Sequence, residues 1–229
     1  MGMGTGIQWC DATFNPWQGC IKVSPGCKHC YMYRDMERYG RDPRRTRRSK
    51  TTFRAPLGWT EPRKVFTCSW SDFFIEAADE WRDEAWDIIK ATPHLTYQIL
   101  TKRPERIRQS LPLDWGDAYR NVWLGTSVEN AAYLSRVNAL MLIPAQVHFV
   151  SVEPLLGPVS FRGQPWPEWV IVGGESGASP RICELGWITS LVDELREARV
   201  PVWVKQDAGK RPGLQGRIPD SHWTQEFPK

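Results

Sequence analysis

NVWLGTSVENAAYLSRVNALMLIPAQVHFVSVE, residues 121–153, decides the fold. Val122–Gly125 is a short apolar run that ends in Thr126-Ser127 and Glu129. Residues 129–142 place Leu134, Val137, Leu140 and Met141 on one face of a helix, and Pro144 punctuates its end. Val147–Val150 is a second apolar run, again ending in polar groups, Ser151 and Glu153. Neither run alternates apolar with polar residues, as expected of parallel strands covered on both faces. The stretch therefore predicts a β–α–β unit with polar residues where each strand stops.

The same pattern extends in both directions. Further strands are expected at Ile7–Trp9, Val65–Ser69, Thr96–Leu100, Trp169–Val172 and Val202–Val204, with helices over 79–90 and 185–198. Polar clusters follow most strands: Ser71-Asp72, Thr101-Lys102-Arg103, Gly173-Gly174-Glu175-Ser176 and Lys205-Gln206-Asp207. An open doubly wound sheet needs chemistry only at its switch point, whereas every strand of a barrel ends at one mouth. The expectation is an α/β fold, a (βα) partial or small TIM-like barrel of about six to seven parallel strands. No biased linker divides the 229 residues, so 1–229 reads as one domain. Trp70, Trp123 and Trp203, among 13 tryptophans, lie in apolar runs and are expected in the core.

MGMGTGIQW at 1–9 has neither a basic n-region nor an apolar h-region, and position 6 is Gly where a myristoylation signal needs Ser or Thr. No run reaches membrane-spanning length. The chain is expected in the cytosol, where a C-x-x-C pair signals metal or redox chemistry rather than a disulfide. The net charge of +4 is uneven. Residues 34–64 hold 11 basic and 4 acidic residues, a net +7, which leaves −3 for the rest. Within a basic loop at about 40–64, RRTRRSK (44–50) offers Arg44, Arg45, Arg47, Arg48 and Lys50 as nucleic-acid contacts, the alternative being a mobile solvated excursion.

Of six cysteines, Cys20, Cys27 and Cys30 form C-x6-C-x2-C after the first expected strand and before a helix. Three thiolates suit a [4Fe–4S] cluster with one open iron, which the amine and carboxylate of S-adenosylmethionine can chelate; reduction then yields a 5′-deoxyadenosyl radical. The alternative is zinc, with Cys10 or His29 as fourth ligand. Cys68 and Cys183 read as buried thiols. Lys205, ending the last strand, and Glu153 are the candidate catalytic residues. Lys102 with Arg103 suits a carboxylate or phosphate. Ser127 and Glu129 are further candidates, although Glu129 also fits a helix's first turn.

WCDATFNPWQGCIKVSPGCKHCY (9–31), VFTCSWSDFF (65–74), ILTKRPERI (99–107), VWLGTSVEN (122–130), SVEPLLGPV (151–159), WVIVGGESG (169–177), VPVWVKQ (200–206) and GRIPD (216–220) run collinearly through the chain. In these motifs it resembles the phage Gp37/Gp68 family, also described as DUF5131. The resemblance implies a radical S-adenosylmethionine-like protein of phages and bacteria, placed in the bacterial or infected-host cytosol. It also implies an electron donor and a three-Cys-motif partner protein, and it names no reaction. Against the usual C-x3-C-x2-C pattern, the first interval here is six residues. His29 replaces the aromatic before the last cysteine and is flat enough to pack on an adenine. The usual Gly-Gly-Glu after the second strand is replaced by Ser71-Asp72, which are assigned to the methionine amine or carboxylate. Gly173-Gly174-Glu175 comes later, with Glu175 directed to ribose hydroxyls or substrate. Together these features predict a radical enzyme acting on nucleic acid or a nucleotide, in modification or repair. A zinc- or cluster-bearing nucleic-acid-binding protein is the alternative.

Overall fold

A computed structural model describes residues 5–228. Nine strands occur in chain order: β1 (Ala12–Phe14), β2 (Trp17–Gln18), β3 (Arg47–Arg48), β4 (Arg63–Thr67), β5 (Leu95–Thr101), β6 (Val122–Ser127), β7 (Val147–Val152), β8 (Trp169–Gly173) and β9 (Val202–Gln206). The α-helices are α1 (Tyr31–Arg38), α2 (Asp79–Ala91), α3 (Ser135–Met141) and α4 (Leu185–Glu197). Seven strands form one sheet, ordered β1-β4-β5-β6-β7-β8-β9, with every pair parallel. β2 and β3 make a separate antiparallel pair.

Each strand of the sheet pairs with the next one along the chain, so the order never reverses as it does in a doubly wound sheet. Right-handed crossovers that always step the same way put the helices on one face. The sheet must then curl to bury its other face, and aromatic contacts demonstrate the curl. The Trp9 ring lies 4.6 Å from that of Phe66 on β4 and 6.1 Å from that of Trp169 on β8. Those two rings are thus within about 11 Å, whereas four strand spacings on a flat sheet span ~19 Å. The architecture is a half-barrel, as the strand-end argument predicts.

Alternation along the strands sorts the core into layers. Val65, Tyr97, Ile99 and Leu124 face outward with Trp86, Ile88 and Ile89 of α2, and Val150, Val170, Val172 and Val202 do so with Ile188, Leu191 and Leu195 of α4. Phe66, Phe149, Trp169, Ile171 and Trp203 fill the inner face with Trp9. Gly125 makes room for this plug: a Cβ there would stand 2.5 Å from the buried Phe149 ring. Phe149 is itself held against Trp169, so Gly125→Ala should cost about 1–3 kcal/mol by overpacking, read as a lowered urea midpoint at unchanged slope.

Several expectations are corrected. Ile7–Trp9 is not a strand but a turn segment that inserts Trp9 into the barrel, and the first strand is Ala12–Phe14. The helix expected over 129–142 is a 3-10 turn, Ala131–Tyr133, followed by the shorter α3. The basic loop is not a free excursion, because Arg47–Arg48 pairs with Trp17–Gln18. Cys68 lies one residue beyond β4, buried and in a left-handed conformation (φ +63°). Trp203 is buried as expected, whereas Trp70 and Trp123 are half-buried.

Candidate functional site

The segment from Gly19 to Cys30 crosses the C-terminal edge of the sheet between β2 and α1. Pro25–Cys27 forms a 3-10 turn, and Cys30 caps α1. Three buried carboxylates at strand ends hold this loop from below.

Asp72 follows β4 and anchors the Cys20 end. Its Oδ1 accepts from Thr101 Oγ1 (2.7 Å) and Phe74 N (3.0 Å), and its Oδ2 from Lys102 N (2.9 Å) and Arg103 Nη1 (3.1 Å). Four donors saturate a carboxylate. Asp72, assigned with Ser71 to the methionine amine or carboxylate, here ties the strand ends to Arg103 and the loop. Ser71, whose Oγ donates to Gly19 O (2.6 Å), likewise holds the loop. Arg103 extends from Asp72 to the loop, donating to Ile21 O (2.7 Å) and pointing Nη1 at Cys20 Sγ (3.8 Å).

Glu129, after β6, is fully buried. Its Oε1 accepts from Ser24 Oγ (2.6 Å) and Lys102 Nζ (2.8 Å), and its Oε2 from Arg136 Nη1 (3.0 Å). It is thus a hub between loop and barrel rather than the first-turn acid of a helix. Gly26 lies so close above it that a Cβ would meet Oε1 at 2.5 Å. Ser127 is buried, and its carbonyl accepts from Arg136 (2.9 Å).

Glu175, after β8, binds Arg181 through both carboxylate oxygens and meets His29 Nδ1 at 2.9 Å. Arg181 Nη1 donates to Pro25 O (2.9 Å), closing the third anchor. Burial alone would raise the Glu175 carboxyl, but the Arg181 side chain and backbone N–H, and His29, bring it down to about 2. Gly174 lets the Gln206–Ala208 segment approach, since a Cβ would lie 2.4 Å from Ala208 N, and Gly173 clears Glu153. The glycine pair is thereby explained by packing.

Lys205 and Glu153 do come together, Nζ to Oε1 at 3.1 Å, near Ser151 Oγ, which donates to Glu153 Oε2 (3.3 Å). All six cysteines are free thiols. Burial, reinforced by the charge of Asp72, pushes Cys20 up to about 12, with Arg103 opposing. Burial also raises Cys30, against the N–H groups of Tyr33 and Met32 and the Lys102 charge. Burial thus favours the protonated thiols at these two positions, and Arg103, 3.8 Å from Cys20 Sγ while also paired with Asp72, opposes it at Cys20. Among the described residues, no three His, Cys, Asp or Glu side chains converge as a ligand set. Cys20, Cys27 and Cys30 share one loop and have to draw together to share an ion. Cys10, proposed as a fourth zinc ligand, precedes β1 and turns its Sγ to Ile7 O (3.8 Å), and His29 is engaged by Glu175.

Of the cationic candidates, Arg48 is committed: it pairs with Glu84 and covers the Phe53 ring at 3.9 Å. Arg44, Arg45, Arg47 and Lys50 have no carboxylate within 4.0 Å among the described residues. Arg136 and Arg181, both essential to the anchors, escape sequence reasoning, since each reads locally as an ordinary surface cation. A surface recess of about 500 Å³, lined by residues including Arg196, Arg199 and Phe227, lies at the N-terminal end of β9, the edge opposite the cysteines.

The fold and this edge define a parallel (βα) half-barrel carrying a three-cysteine loop across its C-terminal mouth. The chain belongs to the family described as protein of unknown function (DUF5131), whose model matches residues 4–225. No curated protein and no solved structure matches it. No described helix is long and apolar enough to cross a membrane.

Proposed function

We propose that this chain is a [4Fe–4S]-dependent radical S-adenosylmethionine enzyme whose substrate is nucleic acid or a nucleotide. The observation that carries the reading is the position of Cys20, Cys27 and Cys30 across the mouth where barrel enzymes do their chemistry. Cys20, Cys27 and Cys30 would hold the cluster, which would supply the electron that cleaves S-adenosylmethionine to a 5′-deoxyadenosyl radical. The chain's own groups have separate tasks. Arg103 and Lys102 balance the charge of the thiolates, while Asp72, Glu129 and Glu175 fix the loop over the strands. Lys205 and Glu153 remain the candidates for gripping substrate, because their ion pair can open toward charged groups of opposite sign. An electron donor and a three-Cys-motif protein are the proposed partners, and the cytosol is the proposed compartment.

A second reading, a zinc- or cluster-bearing nucleic-acid-binding protein, is favoured by one observation. Ser71, Asp72, Glu129 and Glu175 are already engaged and leave few groups free for S-adenosylmethionine. Metal and sulfide analysis of anaerobically prepared protein separates the two. A [4Fe–4S] enzyme should hold about four irons and four sulfides per chain and release 5′-deoxyadenosine on reduction. Stoichiometric zinc without sulfide overturns the enzyme reading.

A further inference from the structure

We propose that the surface beside the cysteine loop binds single-stranded nucleic acid, its phosphates on the cations of residues 38–50 and a base stacked on Tyr39. The proposal deepens the substrate reading above and rests on it only for placing chemistry at the cysteine mouth.

Arg38, Arg41, Arg44, Arg45 and Lys50 are exposed and Arg47 is half-buried. None has a carboxylate within 4.0 Å among the described residues, whereas nearby Arg34, Arg48 and Arg54 are each paired with Asp35 or Glu84. The acids interspersed here do not hold these cations: among the described residues Glu37 forms no ion pair, and Asp42 accepts the backbone N–H of Arg44 (2.9 Å). The charge is local, since the chain outside 34–64 is net negative. Cations left unpaired on an otherwise acidic protein are the electrostatic footprint of a polyanion.

The β2–β3 pair fastens this patch to the cysteine loop. Cys20 N donates to Pro43 O (2.8 Å), and Gly19 abuts the Arg45 carbonyl so closely that a Cβ would stand 2.4 Å from it. Tyr33, on α1 just before the patch, donates its hydroxyl to Cys20 O. A backbone lying on these cations therefore runs beside the first cysteine.

Tyr39 decides the strandedness. It closes α1 and is 68% exposed, while Tyr33, six residues earlier, is buried. Gly40 (φ +65°) turns the chain immediately after it, and Arg41 N returns to Met36 O (2.9 Å), so the ring stands at a fixed corner between Arg38 and Arg41. An exposed ring among cations stacks on a base that has left its own stack, which a duplex does not offer.

The test is fluorescence anisotropy with a labelled mixed-sequence 20-mer, single-stranded or in duplex, on metal-free full-length protein across a salt series. Expected are tighter binding of the single strand and affinity that falls steeply with salt. Arg41→Ala/Arg44→Ala/Arg45→Ala/Arg47→Ala should flatten the log–log salt slope by about 3, at ~0.7 per single-strand phosphate. Tyr39→Ala should weaken single-strand binding about fivefold or more without changing that slope. Tyr39, Arg41, Arg44 and Arg45 are exposed and Arg47 joins β2 through its backbone, and circular dichroism checks that the variants fold. Salt-independent binding, equal affinity for duplex, an inert Tyr39→Ala or equally tight binding of polyglutamate would each overturn the proposal, the last assigning the patch to an acidic protein. Because the protein is metal-free, failure here leaves the iron and sulfide result standing, and failure there leaves this one.

Discussion

Glu129→Ala should lose about 3–5 kcal/mol of stability, the range for removing one partner from a buried ion pair. The fully buried carboxylate satisfies Lys102, Arg136 and Ser24 together, so its loss strands two cations and unties the loop. Glu129→Gln keeps the volume and one acceptor and should cost less, which distinguishes lost charge from a lost side chain. Acid should act on the same contacts. Burial pushes the Glu129 carboxyl up, but Lys102, Ser24 and Arg136 outweigh it and hold the group below its ordinary 4.5. A folded-state value below the unfolded one means a contribution present above about pH 4.5 and lost as pH falls through the lower folded value. Glu175, brought down to about 2, adds to the loss over the same window. Urea midpoints measured from pH 7 to pH 3 should fall less steeply for Glu129→Ala than for the natural chain. A loss under 1 kcal/mol at pH 7 would show that the hub is dispensable.

Cys20→Ser/Cys27→Ser/Cys30→Ser should lower iron content more than tenfold while leaving metal-free stability nearly unchanged. The thiols are half-buried and the loop's anchors do not pass through them: Arg103 to Ile21 O, Ser24 to Glu129, Arg181 to Pro25 O. Metal analysis and thermal melts of the same preparations read the two effects separately. Retained iron would place the metal elsewhere, and collapse of the metal-free fold would make the cysteines structural.

Much of this architecture is legible in the chain. The buried parallel strands announce themselves as continuous apolar runs, and only their ends shift by a residue or two, from Val65–Ser69 to Arg63–Thr67 and from Val202–Val204 to Val202–Gln206. Ile7–Trp9 misleads because the apolar ends of a turn that plugs a barrel look the same as a strand that lines one. The stretch 129–142 misleads because Glu129 is drawn toward Lys102 and Arg136, and the α-helix starts only at Ser135.

Hydrophobic period and chain order are local properties, so the fold class, most of the parallel strands and a cysteine loop before a helix are legible in the chain, although the sheet strand ahead of that loop is Ala12–Phe14 and not Ile7–Trp9. Tertiary structure alone decided what the polar strand ends do. Whether Asp72, Glu129 or Glu175 is free for a ligand depends on which partner stands opposite, and those partners come from as far as 146 residues away in sequence, as His29 does for Glu175. Pairing across that distance follows from the curl of the sheet, which no local pattern encodes.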